Sequence, residues 1–379
     1  MTVSDTPKER PRVMMLGLRG IPDVQGGVEK HVEELSQHFV DKGWDVTILG
    51  RKRYLLTSKP YAWKRINVVP LWSPASMKFE AIAHTALGVL FAAFRRPDIL
   101  HIHAIGPALM TPLARLFGLK VIVTHHGYDY DRQKWGGLAK RMLKLGEAAG
   151  MRFASGRIAV SNDIARTMQS RYGTPVEYLP NGVTIRRSHG DSGILHKLEL
   201  VPHRYVIMVA RIVPEKRQHD LIAAFAKLAD PSFKLVLVGA AEYMAAYSQE
   251  VEALASTVPG VVLAGMQTGD DLSILYENAG LFVLPSSHEG MPIALLEAMG
   301  FGLPVLASNI TANLEIGLPP EDYFPLGDTD QLAGAMRSKL AVPFDADNAA
   351  AKAAQVAKDY GWLQISDRTL SIYNRVLKR

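Results

Sequence analysis

The stretch Leu281-Phe-Val-Leu-Pro285-Ser-Ser-His-Glu289-Gly-Met-Pro-Ile-Ala-Leu-Leu-Glu297-Ala-Met-Gly300 decides how this chain is read. A short apolar run ends at Pro285, a polar loop follows, and a helix begins near Pro292, the first-turn position that suits proline. Such strand–loop–helix units recur on both sides of this stretch. Val13–Leu18, Asp45–Leu49, Ile66–Pro70, Asp98–His103, Lys120–Thr124, Gly156–Val160 and Val176–Leu179 read as strands. After a polar interval from Thr184 to Leu200, Tyr205–Ala210, Lys234–Gly239, Val261–Ala264, Leu281–Pro285 and Pro304–Ala307 follow, with helical patterns between them. Short apolar strands alternating with helices predict parallel sheets covered on both faces. The chain is therefore expected to be α/β, with two Rossmann-like, doubly wound parallel-sheet domains facing across a cleft at their strands' carboxyl ends.

Composition narrows the chemistry. The 379 residues are 48% hydrophobic and 21% charged, which suits two ordinary globular cores. There is no cysteine, so disulfides, zinc–thiolate sites and thiol nucleophiles are excluded. Residues 1–180 carry 26 Lys and Arg against 15 Asp and Glu, whereas no Lys or Arg occurs from Ala241 to Gly300. A basic first half favours an anionic surface or acceptor. The cations are dispersed and match no nucleic-acid motif, so no nucleic-acid partner is expected. The apolar run Ala81–Phe94, followed by Arg95 and Arg96, is too short to span a bilayer and reads as a buried helix or one near a membrane surface. With no apolar leader at the start, the expected location is cytoplasmic, peripheral on the inner face of the cytoplasmic membrane.

Four segments have the residue types that chemistry needs. Gly17-Leu-Arg-Gly20 and Gly26-Gly27-Val-Glu29 place four glycines between a strand and a helix, where backbone can approach a phosphate. The spacing is neither the dinucleotide fingerprint nor a Walker loop. Arg211 and Lys216 flank a strand-to-helix turn, where two cations can grip a diphosphate. Glu289 and Glu297 can accept from sugar or ribose hydroxyls. Glu297 sits among Leu295, Leu296, Ala298 and Met299, a setting in which a carboxylate needs a partner. His125 and His126 end a strand, so at most one of them faces the cleft. A solvated surface loop remains the competing reading for the Arg211–Lys216 turn, and an end-capping acid for Glu289.

In combination these segments resemble the retaining family 4 glycosyltransferases of the group 1 type, which have the two-domain GT-B fold. The matching residues are Gly26-Gly27-Val28-Glu29, His126-Gly127, Ala159-Val-Ser161, Pro180-Asn181-Gly182-Val183, Arg211 with Lys216, and Glu289 with Glu297, in family order. The resemblance implies an acceptor-side domain over 1–183, a donor domain over 184–361, and a C-terminal helix over 362–379 that returns to the first domain. It implies a sugar moved from a UDP- or GDP-linked donor to a polyprenyl-diphosphate-linked or saccharide acceptor, in cell-surface polysaccharide synthesis. Arg211 and Lys216 would neutralise the departing diphosphate. Glu297 would accept from the ribose, and Glu289 with the amides of Gly290, Met291, Pro292 and Ile293 would hold the donor sugar. Gly26 and Gly27 would close on the diphosphate, His126 would bond the donor sugar, and Gly265 and Met266 would edge the base pocket. Where family members carry an acid and a phenylalanine after Asn181-Gly182-Val183, this chain has Thr184-Ile-Arg186-Arg187, whose arginines read as linker surface, with contact to an anionic acceptor as the alternative.

No cofactor or metal is implied. Asp129-Tyr-Asp131 has the Asp-x-Asp pattern of metal-binding transferases, but so do Asp328-Thr-Asp330 and Asp345-Ala-Asp347. The competing functions are a nucleotide-sugar 2-epimerase on the same fold, a non-catalytic glycan-binding protein, and an enzyme resembling glycogen or starch synthase.

Overall fold

A computed structural model describes residues 10–76, 80–132, 135–185, 187–188, 193–241 and 245–378. Arg186, read above as linker surface, lies outside the described residues. In chain order the first elements are β1 (Arg12–Leu16), α1 (Gly27–Asp41), β2 (Asp45–Arg51), β3 (Tyr61–Trp63), β4 (Ile66–Leu71), α2 (Glu80–Arg95) and β5 (Ile99–His103). There follow α3 (Thr111–Leu116), β6 (Val121–His125), α4 (Gly137–Phe153), β7 (Gly156–Ala159), α5 (Asn162–Tyr172) and β8 (Glu177–Tyr178). The next group is α6 (Gly193–Lys197), β9 (Tyr205–Val209), α7 (Gln218–Leu228), β10 (Lys234–Val238), α8 (Ala245–Thr257), β11 (Val261–Gly265) and α9 (Gly269–Glu277). The chain ends with β12 (Leu281–Leu284), α10 (Ile293–Gly300), β13 (Val305–Ser308), α11 (Thr311–Leu314), β14 (Tyr323–Phe324), α12 (Thr329–Leu340), α13 (Ala346–Tyr360) and α14 (Trp362–Leu377).

Two compact units result: residues 1–181 with 362–379, and residues 182–361. The division falls two residues before the expected one, at Asn181/Gly182. The first unit holds an eight-stranded sheet in the order β3-β4-β2-β1-β5-β6-β7-β8. It is parallel throughout except for β3, which pairs antiparallel with β4. The second holds a six-stranded parallel sheet, β11-β10-β9-β12-β13-β14. Strands β3 and β14 are the two that the sequence reading passes over. At three and two residues they are too short for an alternating pattern to register. Likewise α6 occupies part of the interval read as irregular.

Within the first unit, α1 and α14 lie on one face of the sheet. Met15 accepts from the Ser36 hydroxyl of α1, while its neighbour Leu16 points the other way onto Gly88 of α2. On the α1 side Trp362, Ile365, Ile372, Tyr373 and Val376 of α14 join one core with Leu35, Phe39 and Trp44. The last helix of the chain is thus part of the first unit's core. Its Tyr373 ring lies edge-on to Phe39 and to Trp44, at 5.4 Å in each case. In the second unit both faces of the sheet are covered, by α7, α8 and α12 around Val206 and Leu237, and by α6, α9 and α10 around Ile207 and Val238.

Candidate active site

Each sheet reverses its strand order once, and ligands of open α/β sheets bind at that point. In the second unit the reversal lies between β9 and β12. Arg211 follows β9 by two residues, and Glu289 lies on the loop after β12. The two loops are tied together, because the Ser287 amide donates to the Glu215 carbonyl at 2.8 Å and the Ser287 hydroxyl at 3.2 Å. This tie brings the Lys216 ammonium to the Glu289 carboxylate, Nζ–Oε1 2.5 Å, with both side chains largely buried. Burial opposes the Glu289 charge, but the Lys216 cation outweighs it and lowers the carboxyl's pKa. Arg211 is half-buried at the same edge, and its carbonyl accepts from Gln218 Nε2 at 2.8 Å.

Helix α10 starts at Ile293, with Pro292 as its N-cap and no side-chain cap. Leu296 N–H already donates back to Pro292, so the amides of Ile293, Ala294 and Leu295 are those left open to a ligand. Of the expected amides of Gly290, Met291, Pro292 and Ile293, that of Ile293 belongs to the helix start. Gly290 and Met291 precede the helix, and Pro292 has no N–H. Glu297 has the partner its apolar surroundings demand, accepting from the buried Tyr276 hydroxyl at 3.2 Å. Burial and the Glu297 charge together hold the Tyr276 phenol protonated, well above its ordinary range. Met266 follows the edge strand β11, two strands from β9, and is 42% exposed.

The first unit's reversal lies between β1 and β5, and its chemistry is different. Gly17, at the end of β1, has φ +106, and a Cβ there would meet the His103 carbonyl oxygen at 2.2 Å. Only glycine lets these two strand ends meet so closely. The glycine loop that follows is pinned by a buried ion pair that sequence reading did not find. Glu29 accepts from Arg19 Nε at 3.0 Å and from the Arg19 amide at 3.1 Å, while Arg19 Nη2 reaches the Gln25 carbonyl. Burial of Glu29 is outweighed by this guanidinium, and its pKa is lowered. Gly26 caps α1, and a side chain there would strike the Glu29 carboxylate at 2.1 Å.

Beside Gly17 lies a cluster of imidazoles. His103 Nδ1 is 3.1 Å from His126 Nε2. His31 Nδ1 is 2.9 Å from Asn181 Oδ1 and so donates to it, leaving Nε2 as the bare nitrogen. His101 bridges the Tyr373 hydroxyl at 2.6 Å and Thr124 Oγ1 at 2.7 Å. Burial keeps these rings neutral, pushing His31 down to about 4 and His101 to about 3. Burial and neighbouring imidazoles push His103 and His126 down as well. Of the adjacent pair, His125 is fully buried on the α4 side and His126 is half-buried at the strand edge. His125 Nδ1 accepts from the Gly127 amide at 3.3 Å, so its proton sits on Nε2, facing Glu147 at 3.3 Å. Glu147 also accepts from the hydroxyls of Tyr130 at 3.0 Å and Tyr172 at 2.8 Å and from Arg171 at 2.8 Å. Burial would raise its pKa, but the bonds from His125, Tyr172 and Tyr130 prevail and hold it down at about 2. This network fixes the turn that presents His126.

One nitrogen each from His31, His103 and His126 lie within 4.8 Å of one another, a metal-ligand arrangement among the described residues. The His103–His126 contact is too short for two bare lone pairs and holds a proton, which a metal ion would have to displace. The Asp-x-Asp pairs have structural employment. Asp328 and Asp345 cap α12 and α13, and Asp129 pairs with Arg132 at 2.9 Å.

The profile of Glycosyltransferase Family 4 matches residues 25–187, and that of Glycosyl transferases group 1 matches residues 197–356. The chain belongs to the family 4, group 1 glycosyltransferases. It is 26% identical over 63% of its length to the serotype-specific mannosyltransferase WbdA of Escherichia coli, and covers 26% of that protein. It is 28% identical over 57% of its length to an Escherichia coli UDP-Gal:alpha-D-GlcNAc-diphosphoundecaprenol alpha-1,3-galactosyltransferase, covering 59% of it. The chain thus spans about a quarter and about three-fifths of the length of these curated relatives. A glycogen synthase of Mycobacterium tuberculosis matches at 24% identity over 96% of this chain and 94% of its own. Among solved structures, Anabaena Alr3699/HepE in complex with UDP and glucose superposes with a TM-score of 0.77 at 19% identity, over 97% of this chain and all of the other. At that identity the likeness concerns the GT-B fold.

Proposed function

We propose that this glycosyltransferase moves a sugar, with retention of anomeric configuration, from a nucleoside-diphosphate donor, UDP- or GDP-linked, to a lipid-diphosphate-linked or saccharide acceptor in cell-surface polysaccharide synthesis. The observation that carries the proposal is the Lys216–Glu289 pair at the second unit's strand reversal, with Arg211 on the same loop as Lys216 and the uncapped start of α10 four residues after Glu289. Breaking the anomeric bond builds positive charge on the sugar and negative charge on the departing diphosphate. Fixed cations and open amides stabilise that negative charge most strongly when they are in place before the reaction. The Glu289 carboxylate holds the Lys216 ammonium in position. When a donor arrives, the ammonium is shared with the diphosphate, and Glu289 is freed to accept from sugar hydroxyls. Glu297, steadied by Tyr276, accepts from the ribose.

Two cations and helix amides already neutralise the leaving group in this scheme, so transfer is expected to proceed without a metal. Loss of activity in EDTA, with recovery on adding Mg²⁺ or Mn²⁺, would contradict that. The polyprenyl-linked acceptor is supported by the galactosyltransferase relative and the basic first half. The saccharide acceptor is supported by the glycogen synthase, whose match runs nearly the whole chain. A thermal-shift panel of UDP, GDP, ADP and dTDP tests the donor. The true diphosphate raises the melting point by linkage, and the others do little. Incubation with donor alone separates transfer from 2-epimerisation, because an epimer appears without acceptor only in the latter.

A further inference from the structure

The face of the first sheet opposite α1 and α14 is covered by α2, α3 and α4, with α3 packed against both of its neighbours. The outer side of this layer is unusual for a surface. On α2, Leu87, Leu90 and Phe94 recur at helical spacing and are 38%, 49% and 85% exposed. On α4, Leu138 and Leu145 stand two turns apart with Phe153 two turns further on, at 75%, 61% and 52% exposed. Leu116, at the end of α3, is 81% exposed.

The charge on this layer is of one sign. Arg95, Arg115, Arg141, Lys144 and Arg152 are exposed, and none has a carboxylate partner among the described residues. The acids of the three helices, Glu80 and Glu147, are 6% and 1% exposed and face inward. Exposed leucines and phenylalanines interleaved with cations that have no carboxylate partner complement an anionic lipid surface, where apolar side chains enter the acyl boundary and cations meet headgroup phosphates. A second copy of the chain fits less well, since it would oppose cation to cation. No helix among the described residues is long and apolar enough to cross a membrane, so contact of this kind lies in the interface plane.

We propose that the α2–α3–α4 layer is a docking face for an anionic phospholipid bilayer, with Phe94, Leu138, Leu145 and Phe153 as inserted side chains and Arg95, Arg141 and Arg152 as headgroup contacts. The inference stands apart from the transferase reading, because it concerns residues away from both strand reversals. Helix α4 begins on the loop after β6, the strand whose end presents His126. A docked layer would therefore set that edge of the sheet close to lipid-borne molecules.

The test is co-sedimentation of the full chain, without substrates, with phosphatidylcholine vesicles with and without phosphatidylglycerol, at low and high salt. The wild type is expected to bind the phosphatidylglycerol vesicles, and to lose about tenfold or more in affinity on neutral vesicles or in high salt. L138S/L145S/F153S and R95E/R141E should each lose about tenfold or more, while K352E/K358E, on exposed α13, keeps wild-type binding. The chain has no cysteine, so a nitroxide on L145C reads depth without changing the face. It should become shielded from aqueous quenchers in phosphatidylglycerol vesicles, whereas a label on K358C stays accessible. Absence of wild-type binding, equal binding by the face variants, or an aqueous L145C label in bound protein would each overturn the proposal. So would a lipid-free dimer that the same substitutions dissolve, since the face would then belong to a second copy.

Discussion

The two strand reversals solve one positional problem with opposite chemistry. In the second unit the edge is charged: Lys216 against Glu289 at 2.5 Å, Arg211 on the same loop as Lys216, and Glu297 bonded to Tyr276. In the first unit the edge is built of neutral imidazoles, with His103 on His126 and His31 on Asn181, behind a glycine turn locked by Arg19 and Glu29. A charged edge holds a charged leaving group. A neutral edge, buried at the strand ends, offers donors and acceptors whose proton positions are fixed by their neighbours. The lesson is that one topology leaves the sign of the site to a few loop residues.

The comparison is open to attack at several points. Acid should produce the largest effect. His31 and His101 of this edge, with His84 buried in α2, stay neutral in the fold, down to about 4, 3 and 4, whereas the unfolded chain protonates them near their ordinary value of 6.5. Their contribution is therefore complete above pH 6.5 and falls as the pH drops toward 4, because only the unfolded state takes up protons there. At about pH 5 the loss is on the order of 5 kcal/mol. Glu147 adds a second limb between its ordinary 4.5 and about 2, where its bonded carboxylate is finally protonated. Denaturant melts across this range check both limbs, and a stability that stays flat from neutral to about pH 5 would mean that the imidazoles are not held neutral.

Lys216→Ala comes next, with an expected fall in turnover of about 10²-fold or more, because a diphosphate left uncompensated forfeits several kcal/mol of transition-state stabilisation. Part of that loss comes from Glu289, which is left buried without its cation. Steady-state kinetics of Lys216→Ala/Glu289→Gln should then show less than the product of the two single losses. Glu297→Gln is milder. It is expected to raise the donor KM by about tenfold while changing kcat little, consistent with a ground-state ribose contact. A fall in kcat at unchanged KM would move Glu297 to the reacting centre. Smallest is Tyr276→Phe, which removes one hydrogen bond to Glu297 and should cost about 1 kcal/mol in donor binding by calorimetry.

The charged edge was largely legible in the sequence. Arg211 and Lys216 lie on one loop, Glu289 on a second loop and Glu297 on the helix after it, each close to the end of an obvious strand. The neutral edge was not. His31 and Asn181 are 150 residues apart, and Tyr373 meets His101 across 272. One pair joins α1 to the segment after β8 and the other joins β5 to α14, contacts that no local pattern announces. A trace of signal was present in His101-x-His103, since residues two apart on a strand share a face, and these rings do sit 4.0 Å apart. The fold was legible for the opposite reason: buried parallel strands announce themselves as short apolar runs, as at Tyr205–Val209. Pro292 shows the limit of local reading. A proline marks the start of a helix well, but here it is the cap itself, so the helix begins one residue later.

Calorimetric titration of UDP and GDP, and of the matching nucleosides, into wild type and Lys216→Ala tests the charged edge most directly. One diphosphate should bind the wild type and weaken about tenfold or more in the variant, while its nucleoside, lacking the phosphates, binds both proteins alike. Equal diphosphate affinity in the two proteins would contradict the assignment of Lys216 to the leaving group, and so would a nucleoside that weakens as much as the diphosphate.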